Sequence, residues 1–93
     1  MVDTLDVVVP PMGSVVIYAW HFKGERFEAP ALVSAVPKNG RGEPQANAAL
    51  NLWVIADPEV AAKGGMVQPV VHRVNVPHIL HAKSDDPYWH QTD

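Results

Sequence analysis

The sequence predicts a small, mostly antiparallel all-β domain of about five strands with one short connector helix, built as a partly open barrel or a compact sandwich. Three observations carry this. Short runs rich in β-branched and aromatic residues recur along the chain. Nine prolines and six glycines separate them and leave little room for long helices. The 93 residues suffice for a single domain, 1–93, and not for two.

The elements follow in order. The apolar "LDVVV" (Leu5–Val9) is a candidate strand halted by Pro10 and Pro11. "VVIYAW" (Val15–Trp20), "PALVSAV" (Pro30–Val36), "LNLWVIA" (Leu50–Ala56) and "VVHRVNV" (Val70–Val76) are the four main strands. Residues 37–49, "PKNGRGEPQANAA", form a long polar loop of the kind that is either functional or disordered, with Arg41 between glycines as its most useful contact residue. In "DPEVAAKGG" Asp57 caps, Pro58 suits the first helical position, Glu59 favours the positive dipole end and Gly64 stops the helix. The tail 82–93 ends in "YWHQ", an edge strand or a segment that packs on a neighbour.

Composition narrows the partners. Seven Lys/Arg stand against ten Asp/Glu, a net charge of −3, with no basic stripe, so phosphate-tracking DNA binding is not expected. With no cysteine there is neither a disulfide framework nor a Cys-based zinc or redox site. The N-terminus has two aspartates and no basic region and does not read as a secretory signal. Apolar runs fall far short of the roughly 20 residues a membrane span needs, so no membrane partner is expected.

Alternation sends neighbouring side chains to opposite sheet faces. Leu50, Leu52, Val54 and Ala56 make one aliphatic face. The other faces collect Tyr18, Trp20, Trp53, Arg73 and Asn75, with little of the Lys, Glu and Thr that a solvated face carries. A covered face is expected, closed by a partner subunit, by a ligand, or by the chain's own tail through Trp89. Tyr, Trp and Arg are the types enriched at energetic centres of interfaces.

The stretch "VVHRVNVPHILH" first suggests a metal. On a strand, His78 and His81 point to opposite faces, and His72 and His78 stand roughly 20 Å apart. No HExxH pattern is present, so neither a metal site nor a cofactor is expected, and His72 reads as a core-edge histidine with a hydrogen-bond partner. The serines, Ser14, Ser34 and Ser84, sit in no nucleophile elbow, and no glycine motif matches a phosphate loop. The expectation is a protein that binds and does not catalyse.

"PMGSVVIYAW", "APALVSAV", "LNLWVIAD", "VHRVNVPH" and the terminal "DDPYWHQ", in this order, resemble a family of small phage and prophage proteins. The tail departs from that pattern, because His90 and Gln91 follow Trp89. The resemblance implies phage origin, a small β fold and homo-oligomers, and transfers no catalytic residue. Its function is then expected to be sequestration of a small nucleotide-like ligand in the host cytoplasm, to counter antiviral defence. Tyr18, Trp20 and Trp53 would wall the pocket, Arg41, Arg73 and Asn75 would donate to the ligand, and Trp89 of the tail is a further ligand- or partner-binding candidate. The alternative is a virion structural protein, a capsid decoration or tail component using the same face for protein contacts.

Overall fold

The structure is a computed structural model and describes residues 8–92. Five strands, β1 (Val15–Phe22), β2 (Glu25–Ala35), β3 (Leu50–Ile55), β4 (Val70–Val76) and β5 (Tyr88–Gln91), form one antiparallel sheet of order β4-β3-β2-β1-β5. One helix, α1 (Pro58–Lys63), links β3 to β4, and a 3-10 turn (Ile79–His81) leads toward β5. The sheet does not close into a barrel. The chain leaving β4 meets β5 through one parallel bridge, His78 to Trp89, beyond the named strands. The candidate strand Leu5–Val9 falls largely outside the described residues, and Val8 and Val9 belong to no strand.

Local chemistry accounts for the element boundaries. Lys23 and Gly24, both at positive φ (52° and 79°), make the two-residue turn joining β1 to β2. That geometry matches the right-handed twist of paired strands. The sequence reading begins the second strand at Pro30, yet β2 starts at Glu25, because a two-residue hairpin carries pairing straight back along β1. Up to Pro30, β2 pairs with β1 alone, which is where a proline without an N–H is tolerated. The helix is built as its sequence predicts: Asp57 Oδ2 accepts from the Glu59 N–H at 3.0 Å, Pro58 opens the first turn and Gly64 ends the helix. Residues 37–49 are held by their own contacts, since Asn39 Oδ1 accepts from the Arg41 and Glu43 N–H groups and Lys38 bridges to Pro44.

Cross-strand register decides which faces unite. Val16 lies opposite Ala31, Ala31 opposite Val54, and Val54 opposite Val71, so all four share the inner face. Val16, Tyr18, Trp20, Ala31, Val33, Leu50, Leu52 and Val54 are therefore one core. This corrects the sequence reading, which set Tyr18 and Trp20 against the aliphatic face of β3 and grouped them with Trp53. Tyr18 and Trp20 are covered by the chain itself. Trp20 stacks between Tyr18 and Phe27, with ring centroids at 5.5 and 5.7 Å, and its indole N–H donates to the Gly64 carbonyl at the end of α1. Trp89 is wholly buried at the β5 end of the core, its indole N–H donating to Ala48 O.

Two bulges interrupt strict alternation. Ser34 is the extra residue between the Val33–Leu52 and Ala35–Asn51 pairs of β2 and β3. On β4, Val74 and Asn75 together face Asn51, and Asn75 takes φ 53°, a conformation Asn tolerates better than most residues. The ladder gap is filled by Asn51 Oδ1, which accepts the Asn75 N–H at 3.0 Å. The bulge shifts the phase of the strand, so Val76 returns to the inner face, buried opposite Leu50, instead of joining His72 as simple alternation requires.

His78 adds a pH dependence to this packing. Its ring is buried, meets Trp89 edge-on at 4.6 Å and accepts the Leu80 N–H through Nδ1. Burial, reinforced by the nearby His81 and His90, holds its pKa below the ordinary imidazole value. Because the folded pKa is the lower one, the unfolded chain binds the proton more readily. Stability from this group is complete above the unfolded pKa and is lost as pH falls through it toward the folded value. Urea unfolding is expected to show a lower midpoint near pH 5 than near pH 7. His78→Asn, which keeps an acceptor for Leu80, should flatten that decline; an unchanged slope would remove His78 as the cause.

Candidate functional site

A cleft of about 220 Å³ opens beside the bulged end of β4. Arg73, Val74, Asn75 and Val76 line it from β4, followed by Pro77. Tyr18 lines it from β1, and Asp86 and Pro87 from the turn before β5. β1 and β4 are separated by two strands in the sheet, which would place them roughly 14 Å apart if it were flat. Residues of both meet in one cleft because the sheet curls over its inner face. The return of the chain from His78 to Trp89 marks the same curl on the β5 side.

At the centre is the contact between Tyr18 and Arg73. Tyr18 is buried and Arg73 is exposed. Burial pushes the Tyr18 pKa up, opposed by the hydrogen bond and positive charge of Arg73. The phenol therefore keeps its proton at neutral pH. Both groups line the same cleft, and the phenol O–H can donate to a ligand there. Arg73 carries five N–H donors in a planar fork. Among the described residues no carboxylate is ion-paired with Arg73. The cleft thus offers a guanidinium and a phenol donor, apolar walls from Val74, Pro77 and Pro87, and one carboxylate, Asp86. That combination suits a ligand with an anionic oxygen at one end and an N–H or O–H group within reach of Asp86.

Of the residues expected to bind, Tyr18, Arg73 and Asn75 come together in this cleft. Trp20 stands behind Tyr18 as its stacking neighbour and does not line the cleft. Trp89 is a core anchor with no exposed surface. Arg41 lies exposed on the loop 37–49 and is not among the lining residues. Trp53 is on the opposite, outer face of the sheet, because it pairs with Leu32 and His72, whereas Arg73 pairs with the inner-facing Leu52. Sequence reasoning missed Asp86 and Pro87. The acidic turn before "PYW" was their signal, but only the curl of the sheet carries that turn to β4.

The histidines of the opening stretch separate. His72 is exposed on the outer face and not at the core edge, because its partner across β3 is Trp53, whose ring lies 4.7 Å away. It does have a hydrogen-bond partner, since Ser34 Oγ is 2.9 Å from His72 Nε2. Ser34 Oγ also donates to Asn51 O at 3.1 Å. With its proton held by a backbone carbonyl, the hydroxyl accepts from His72, the reverse of what an activated nucleophile requires. Among the described residues, no group of three or more His, Asp or Glu is placed to hold a metal ion, and no helix is long and apolar enough to cross a membrane.

On the outer face, Arg26 pairs with Glu28 and donates through Nε to the Tyr88 hydroxyl at 2.7 Å, while His90 Nε2 lies 2.8 Å from Glu28 Oε2. The hydrogen bond from His90, aided by Arg26, holds the Glu28 carboxyl below its ordinary value. This cluster ties β5 to the β1–β2 hairpin and is compensated within itself. Comparison with known proteins finds no matching family model, no matching curated protein and no matching solved structure.

Proposed function

We propose that the protein is a non-catalytic binding protein that sequesters a small nucleotide-like ligand, one end of which sits in the Tyr18–Arg73 cleft. The observation that carries the reading is an exposed guanidinium, free of carboxylate partners among the described residues and steadied by a buried tyrosine at the mouth of a cleft. A phosphate or carboxylate on the ligand accepts from Arg73 and from the Tyr18 hydroxyl. A ribose hydroxyl or a base-edge N–H reaches Asp86. At about 220 Å³ the cleft is smaller than the roughly 300 Å³ and upward of pockets that enclose a whole drug-sized ligand. Only part of a nucleotide is held, and specificity rests on the charged end. In the phage setting implied by the sequence resemblance, such a protein would withdraw a nucleotide messenger from host defence. The alternative, a virion structural protein working through protein contacts, draws on a different surface, the apolar outer sheet face.

Calorimetry of the full chain against cyclic nucleotides and ADP-ribose derivatives tests the proposal. At least one should bind. Arg73→Ala should weaken that binding by about 10- to 100-fold, the size of a lost charge-assisted hydrogen bond. Arg41→Ala should leave it unchanged. No heat across the panel, or equal binding by Arg73→Ala, would overturn the assignment.

A further inference from the structure

A half-buried antiparallel sheet normally alternates apolar-in and polar-out. Here the part of the outer face around Trp53 does not. Val15, Leu32, Trp53 and His72 form one row across β1–β4 by direct pairing. Ile17 pairs with Pro30, and Ile55 with Val70, in the adjoining positions. Val15, Leu32, Trp53, Ile55 and Val70 are each 39–54% exposed, and no Lys, Arg, Asp or Glu stands among these positions. Contiguous apolar surface of this kind marks a contact site on a folded protein.

We infer that this outer face, centred on Trp53, packs against the same face of a second copy of the chain, making a two-sheet sandwich across a two-fold axis. Two features select a second copy over an unrelated partner. In a two-fold interface each residue near the axis meets its own kind, so an uncompensated charge there would face a like charge. The apolar rows carry none, and the charges at the β5 side of the face, Arg26 and Glu28, are already paired within the copy. The area also fits. Five strands averaging about seven residues project roughly 24 by 24 Å, about 570 Å² before side-chain relief. This approaches the ~800 Å² per partner of a standard interface. This face, which no other layer covers among the described residues, gains the second layer that a β domain ordinarily has, at the ~10 Å spacing of stacked sheets. Arg73 pairs with Leu52 on the inner face, so the cleft stays open in the pair.

Sedimentation equilibrium of the full chain between about 1 and 500 µM tests this. The expected result is a species of twice the 10.2 kDa chain mass, with Trp53 fluorescence shifting to the blue as it forms. Trp53→Glu and, separately, Ile55→Lys should raise the dissociation constant by more than 100-fold while circular dichroism shows the native strand signal. Both positions are about half exposed in the single chain, and the strand signal identifies the variants that fold. Arg73→Ala should dimerise as the parent does, which separates this inference from the ligand assignment. A parent that remains a monomer throughout overturns the inference. So does a folded variant at either position that still dimerises, or loss of the dimer in Arg73→Ala.

Discussion

Trp89→Ala is expected to destabilise the protein by about 3–5 kcal/mol. The indole is wholly buried and belongs to a four-residue strand that has little else to hold it. Its backbone N–H donates to Pro77 O at 3.0 Å, its side-chain N–H to Ala48 O at 2.9 Å, and its ring meets His78. Truncation leaves a cavity and also strips a partner from the buried Ala48 carbonyl. Ala48 is at φ 57°, a conformation that an alanine keeps only under such constraint. A domain of this size has a total stability of only about 5–15 kcal/mol, so the loss should appear as a large fall in the urea midpoint. Trp89→Phe separates the contributions. It keeps most of the buried area, loses the N–H, and should cost about 1–3 kcal/mol, the penalty of one unsatisfied buried acceptor. A change below about 1 kcal/mol in Trp89→Ala would mean that β5 is anchored elsewhere. Function follows from the same contact: Asp86 and Pro87 directly precede β5, so a released β5 takes one wall of the cleft with it.

Trp20→Ala is expected to cost a similar 3–5 kcal/mol, through a different route. Trp20 is the post on which α1 rests. Its N–H holds the Gly64 carbonyl at 2.9 Å, and the helix end approaches so closely that a Cβ at position 64 would lie 2.7 Å from Trp20 Cζ2. With the ring clamped between Tyr18 and Phe27, there is no easy way for it to yield. Deleting the indole should release α1 first, so amide hydrogen exchange of Ala61, Gly64 and Met66 ought to accelerate more than that of β2 and β3. Uniform acceleration would show that helix and sheet unfold as one unit. Phe at position 20 keeps a ring against Tyr18 and Trp20 does not line the cleft, so ligand affinity in a folded Trp20→Phe variant should fall less than in Arg73→Ala.

Much of the fold is legible because its signals are local. Asp57, Pro58, Glu59 and Gly64 specify a short helix through groups within a few residues of one another, and the structure builds it there. The four main strands stand close to where β-branched runs meet turn formers. The Lys23–Gly24 hairpin is harder to read, since lysine is an unusual occupant of positive φ, and the start of β2 moves with it. The candidate site is legible only in part. Tyr18, Arg73 and Asn75 could be picked out as residue types that do not belong on a solvated face. Trp53 was picked out on the same ground, but it serves the opposite surface.

The sequence by itself determined an all-β domain, its helix caps, and the faces of the strands away from the bulges, because alternation and turn chemistry act between near neighbours. Only the tertiary structure decided how those faces join. The Val16–Ala31–Val54–Val71 row puts the aromatic side of β1 on the aliphatic side of β3, and the Asn75 bulge shifts β4 by one residue. Curling of the sheet then brings Arg73 to Tyr18 across two intervening strands. Register, bulge position and curl are set by the packing of residues far apart in the chain. That is why Arg73 and Trp53, which look like members of one surface in the sequence, stand on opposite sides of the sheet.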